Sequence, residues 1–152
     1  MRVLIQRVHE ARVVVEGETV GEIGQGVLLL VGVTHDDTAD DAAYLAGKIA
    51  NLRIFEDEDG KLNQSAVDQN LSALVVSQFT LYGNARKGRR PSFIDAAQPD
   101  VASPLIEELA VRLEAEGLTV SRGQFQAHMD VSLINDGPVT IWLDTADLRG
   151  SA

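Results

Sequence analysis

"GVLLLVGVTHDDTADDAAYLAGKIANL", Gly26 to Leu52, carries two periodicities back to back. Gly26 to Val33 is a continuous apolar run, the pattern of a strand covered on both faces. The period then changes, and Ala42, Leu45, Ala46 and Ile49 share one helical face. Thr38 followed three residues later by Asp41 fits a capping box, and Asp40 and Asp41 suit the positive end of a helix. A doubly buried strand feeding an amphipathic helix predicts a strand–helix unit of an α/β domain.

The same unit recurs downstream. "SALVVSQFTL" (72–81) is a second buried strand, and "SPLIEELAVRLEAEG" (103–117) is an amphipathic helix with Leu105, Leu109 and Leu113 inside. Ser103 suits its cap, Pro104 its first turn and Gly117 its end. Upstream, "RVLIQRV" (2–8) alternates as a strand does, and "ARVVVEGETVGEIG" (11–24) reads as a hairpin about "EGE". Further strands follow at "LTVSR", "HMDVSLI" and "VTIWLDT". The expected fold is one α/β domain over 1–145, with mixed sheets and two amphipathic helices in the order ββ(βα)2βββ. The tail "ADLRGSA" (146–152) should fray.

Composition narrows the function. The 152 residues suffice for one substantial core, at 45% hydrophobic and 24% charged. No apolar run approaches the length of about 18 residues that a membrane span needs. The opening "MRVLIQRVHE" is charged where a signal peptide needs an apolar block. Cysteine is absent, which excludes disulfides and thiolate chemistry and points to the cytoplasm. A net charge of −10 argues against broad electrostatic binding of nucleic acid. The basic residues are nonetheless uneven: Arg86, Lys87, Arg89 and Arg90 in "RKGRR" are four of 13. That stretch is either a solvated loop or a local phosphate clamp.

Standard catalytic signatures are missing. His9, His35 and His128 are scattered, and no serine lies in a Gly-x-Ser-x-Gly elbow. "GEIGQG" (21–26) is a turn between strands, not a phosphate cradle. "EDEDG" (56–60) lacks the spacing of a calcium loop and reads as a turn with solvated charge. Two stretches remain. In "SQFTLYG" (77–83), Ser77, Gln78 and Thr80 end a buried strand, the place where α/β domains hold ligands; hydroxyl capping of the strand end is the plainer alternative. In "LINDGPVTIWL" (133–143), sheet-forming residues flank Asn135, Asp136, Gly137 and Pro138. The stretch is either a hairpin turn or a rigid, specially shaped piece of backbone.

"VSQFTL" followed about 55 residues later by "NDGPVT" resembles the D-aminoacyl-tRNA deacylase family. The likeness extends through "IQRV", "GEIGQG", "RIFEDEDGK", "RPSF" and "GQFQAHMDVSLINDGPVTIW", nearly the whole chain. It implies hydrolysis of the ester joining a D-amino acid, or glycine, to the 3′ end of tRNA, without metal or cofactor. It implies a homodimer in which a cis Gly137-Pro138 enters the partner subunit's site and rejects L side chains. Ser77, Gln78, Phe79 and Thr80 are then the catalytic stretch, with backbone N–H groups of Phe79 and Thr80 as oxyanion donors. Asn135, Met129 and Arg7 join Gly137 and Pro138 as substrate-site residues; Arg7 is either the donor that fixes the motif's carbonyls or a member of a plain surface ion pair. Arg86, Lys87, Arg89 and Arg90 would contact tRNA. Two alternatives stay open: a non-catalytic RNA- or adenosine-binding module, and an esterase with Ser77 or Thr80 as nucleophile and His128 as base.

Overall fold

A computed structural model describes residues 1–149. Strand β3 (Gly26–Gly32) lies at the centre. It pairs antiparallel with β1 (Arg2–Val15) and parallel with β6 (Ser72–Ser77), and β6 pairs parallel with β7 (Thr119–Arg122). Helices α1 (Ala39–Asn51) and α2 (Pro99–Glu116) lie in the two parallel crossovers, as the repeated strand–helix units predict. β1 also pairs antiparallel with β2 (Glu18–Ile23) and with β8 (Asp130–Asp144). A small hairpin, β4 (Phe55–Glu56) and β5 (Leu62–Gln64), is an addition to the expected order.

β3 and β6 are buried on both faces. Val27, Leu29, Val31, Ala73 and Val75 face a core shared with Leu45, Ile49, Leu109 and Leu113 of the helices. Leu28, Leu74 and Val76 face a second core with Val8, Ala11, Val13 and Ile23. Each large aliphatic side chain buried this way contributes about 1.5–3 kcal/mol, so the central strands hold both layers together.

Five expectations change in detail. Residues 2–8 and 11–15 form one strand, because β2, β3 and β8 between them offer partners along the whole of β1. The strand at 72–81 stops at Ser77, and Phe79–Tyr82 is a short 3-10 turn. α2 starts at Pro99 with Gln98 as its cap, so Ser103 and Pro104 lie inside the helix; of two prolines suited to a first turn, the earlier one prevails. Gly117 does end it, with φ of 113°. Thr145–Arg149 is a short helix, α3, where fraying was expected; the Asp144 carboxylate accepts from the Ala146 N–H in its first turn. Positions 150–152 of that tail lie outside the described residues.

The fifth change concerns Gly137-Pro138. The chain does not reverse there. β8 runs on past the motif, and both halves pair with β1: Gln6 opposite Thr140, then Val8 opposite Asn135. Arg7 alone therefore faces residues 136–139, which bulge out of the ladder. Turn-forming residues mark a loss of regular pairing, and Pro138 has no N–H to give a ladder; the unbroken β1 keeps the two halves in line. At "EDEDG" the expected turn is present, and the Asp57 carboxylate accepts from the N–H groups of Asp59 and Lys61. Those bonds, led by that from Lys61, hold its pKa below the usual value.

Candidate active site

The parallel strands β3 and β6 end side by side, and a cleft of about 560 Å³ opens beyond their carboxyl ends. This is where doubly wound sheets bind ligands. Three backbone bonds set its frame. Gln78 N–H donates to Val31 O at 2.7 Å, Ala97 N–H to Val33 O at 2.9 Å, and Gly123 N–H to Val75 O at 2.8 Å. Each ties a connecting segment to β3, to β6 or to the residue just past β3, so the frame of the cleft is fixed by the fold.

Ser77, Gln78 and Phe79 line this cleft together with Met129. The turn Phe79–Tyr82 follows immediately, and the first N–H groups of such a turn, those of Phe79 and Thr80, have no carbonyl within it to pair with. The Gln78 side-chain amide bonds to the Thr80 hydroxyl, tying the two polar groups together. Thr80 itself does not line the cleft. Phe93, Phe125 and Ile106 form apolar walls that sequence reasoning missed; they come from three separate segments, and nothing local marks them. Phe79 and Phe93 meet edge to face, 5.2 Å between ring centres. His128 lines the same cleft. Its side chain is 95% exposed, with Nε2 3.7 Å from Asp130 Oδ1. Among the described residues, no hydrogen bond joins His128 to Ser77 or Thr80.

The far end of the 3-10 turn is held by Arg2. Its Nη1 donates to Leu81 O at 2.8 Å and its Nε to Asp144 Oδ2 at 2.9 Å. The guanidinium stacks over Tyr82, 4.3 Å from the ring centre, with Trp142 on the other contact at 5.6 Å. The Tyr82 hydroxyl is buried without a partner among the described residues. Burial first, then the nearby carboxylates of Asp37 and Asp144, push its pKa far above the usual tyrosine range.

Arg7, Asn135, Gly137 and Pro138 gather at a second place, the β8 bulge. The Gly137-Pro138 bond is cis, as expected, and both residues are exposed. The Asn135 side-chain amide donates to Arg7 O at 2.9 Å and Val139 O at 3.0 Å, closing the base of the bulge. Arg7 is only 5% exposed. Its Nη1 donates to Ile54 O at 2.7 Å, and its Nε to Asp136 O at 3.1 Å, with Asp136 Oδ2 at 3.3 Å. His9 approaches the other Asp136 oxygen at 3.5 Å. The guanidinium thus fastens the carbonyl just before Gly137 to the β4 segment. A methyl group on Gly137 would sit 2.9 Å from Arg7 Nη2, and the φ of 129° there is one that side-chain-bearing residues rarely adopt. Neither Gly137 nor Pro138 lines the cleft of its own chain.

Residues 4–144 match the family described as D-Tyr-tRNA(Tyr) deacylase. The chain belongs to that family. It is 63% identical to the D-aminoacyl-tRNA deacylase of Thermomicrobium roseum, across all of this chain and 99% of that one. It is 59% identical to the enzyme of the same name from Halalkalibacterium halodurans, over 95% of this chain and 99% of the other. Among solved structures, a c-Myc DNA Unwinding Element Binding Protein superposes with a TM-score of 0.89 at 38% identity, covering 95% of this chain and 98% of that one. A probable eukaryotic D-amino acid tRNA deacylase gives 0.81 at 19% identity, over 93% and 97%, and so shares the deacylase fold. The matched range, residues 4–144, spans both stretches singled out above, the strand end at Ser77 and the bulge at Gly137. No helix among the described residues is long and apolar enough to cross a membrane.

Proposed function

We propose that the protein hydrolyses the ester of D-aminoacyl-tRNA, releasing the D-amino acid and free tRNA, and that glycyl-tRNA is also a substrate. The full-length identity of 63% to a D-aminoacyl-tRNA deacylase carries this. Water adds to the ester carbonyl carbon, the carbonyl oxygen becomes an oxyanion, and the ribose oxygen leaves with a proton. The N–H groups of Phe79 and Thr80 are suited to meet that oxyanion, with Ser77 and Gln78 holding the strand end in shape. The largely apolar cleft suits an unstacked terminal base. Incubation with D- and L-tyrosyl-tRNA tests the activity: ester loss is expected on the D form and not on the L form. Equal rates on both would overturn it, and retention of substrate without turnover would make the protein a binding module.

The working form is a twofold dimer in which each Gly137-Pro138 bulge reaches the partner's cleft. Two observations support this. The bulge is exposed and away from its own cleft. Among the described residues β8 pairs only with β1, which leaves its other edge free, with Val131, Ile134 and Trp142 exposed along the strand. An unpaired edge of this length is ordinarily covered, and a twofold axis makes the exchange reciprocal. A backbone wall there leaves room for a D side chain or glycine and collides with an L one.

A second reading rests on His128, which shares the cleft with Ser77 and stands near Asp130. It makes the protein a serine esterase. General-base catalysis contributes about 10²–10⁴-fold, so His128→Ala separates the two. Under the oxyanion account, His128→Ala and Thr80→Ala each retain activity within about tenfold, well short of that range. A thousandfold loss in folded His128→Ala, with an acyl group trapped on Ser77, would establish the esterase.

A further inference from the structure

Five arginines outside the basic loop are ion-paired where they stand. Arg2 pairs with Asp144, Arg7 with Asp136, Arg12 with Glu22, Arg112 with Glu108, and Arg122 with Glu107 and Glu114. The segment Arg86–Arg90 is different. Arg86, Lys87, Arg89 and Arg90 are all exposed. Among the described residues none of the four has an ion pair, although the chain carries 23 acidic residues. Four exposed cations within five positions, with no carboxylate in ion-pair reach among the described residues, make a local positive patch able to take an anion from outside.

The segment is also fixed in place. Asn84 and Ser92 exchange backbone bonds, both 2.8 Å, which close the loop at its base. The chain enters it from the 3-10 turn that carries Phe79 and leaves it into Phe93, and both rings line the cleft. A methyl group on Gly83 would meet the Phe93 ring at 3.0 Å, so the stem packs closely against that wall. Phe79, on the cleft wall, is 58% exposed and Ile94, next to Phe93, 79%, so apolar side chains flank the stem of the basic loop. The arrangement is a small positive edge on the rim of an apolar cleft in a protein of charge −10.

We infer that Arg86, Lys87, Arg89 and Arg90 grip backbone phosphates of the tRNA acceptor end as its unpaired 3′ strand enters the cleft past Phe79 and Phe93. This rests on the activity proposed above, because it takes the molecule in the cleft to be the tRNA terminus. Phosphate contacts carry no base information, so the loop accepts any tRNA. The remaining negative surface repels RNA bound in other orientations, so the edge sets which way the substrate approaches.

The test is binding of uncharged tRNA, labelled with a fluorophore and followed by anisotropy, to the wild-type protein and to R86A/K87A/R89A/R90A across a salt series. Each phosphate contact contributes about 0.7–0.9 to the slope of log affinity against log salt. Loss of all four should flatten the slope by up to about three and raise the Kd on the order of tenfold or more at low salt. Hydrolysis of D-tyrosyl-tRNA should fall with it through KM, while hydrolysis of a D-tyrosyl ester of adenosine alone, which has no phosphates to grip, should not. An unchanged slope and Kd would overturn the inference and leave a solvated loop. Equal losses on tRNA and on the adenosine ester would overturn it too, because the loop would then be shaping the cleft. An unchanged slope with a shift in molecular mass would mean that the loop meets an acidic face of another copy. Binding reads the loop without turnover, so absence of hydrolysis by the wild-type protein would refute the activity and leave this measurement intact.

Discussion

Gly137→Ala is expected to lower kcat/KM on D-tyrosyl-tRNA on the order of 100-fold while the protein still folds. The new methyl group would lie 2.9 Å from Arg7 Nη2 and 2.9 Å from Val139 Cγ2, and the φ of 129° is unfavourable to alanine. Relief requires the bulge to move, and a displacement of about 1 Å in a positioning element costs on the order of 10² in rate. The backbone penalty itself is about 1–3 kcal/mol. The bulge is exposed and outside both cores, so the fold should survive this. Steady-state kinetics on D- and L-tyrosyl-tRNA, with a urea titration alongside, provide the check. Rates within twofold of wild type on the D form, with L-tyrosyl-tRNA still spared, would remove Gly137 from the site.

Arg7→Ala should be the more damaging change to stability, by about 2–4 kcal/mol. It strips the donor from the Ile54 carbonyl and the cation from Asp136. The full cost of breaking a buried pair is not expected, because the Asp136 side chain is 23% exposed and water can replace part of what is lost. The urea midpoint should fall with the slope unchanged. Discrimination between D- and L-tyrosyl-tRNA should fall as well, since the carbonyl before Gly137 loses its tether. Arg7→Lys separates charge from geometry. Lysine keeps the positive charge but cannot reach Ile54 and Asp136 at once with one planar fork, so stability should recover in part and selectivity less. If Arg7→Ala changed the unfolding free energy by less than about 0.5 kcal/mol, as loss of an exposed ion pair would, and left selectivity intact, Arg7 would have no positioning role.

The two central strand–helix units were legible because their signals are local. Gly26–Gly32 is apolar on both faces, and Ala42, Leu45, Ala46 and Ile49 repeat at helical spacing in the sequence as in the core. The candidate stretch at Ser77 was legible for the same reason, since polar residues interrupt an apolar run there, although the strand stops at Ser77 and not at Leu81. The rims of the cleft were not. Phe93, Phe125 and Ile106 reach it from a loop, from the link between β7 and β8, and from α2. Only the packing of distant segments brings them together. The start of α2 was misplaced because Pro99 and Pro104 both suit a first turn, and the choice depended on Ala97 being fastened to Val33.

"NDGP" shows where the boundary lies. Its residues state that regular pairing fails about Gly137-Pro138, and that much follows from proline's missing N–H and from glycine's tolerance of unusual φ. Whether the chain then turns back or continues is decided by what lies opposite. β1 runs unbroken beside both halves of β8, so the chain continues, and residues 136–139, four against the single Arg7, are pushed outward. By itself the sequence determined the central strands, the two crossover helices and the two candidate stretches, since each is marked by residues near one another in the chain. The tertiary structure alone decided that the Ser77 cleft and the Gly137 bulge stand apart on one chain and that Arg7 is buried between β4 and β8. Those are relations between residues far apart in sequence, and they arise only from long-range pairing.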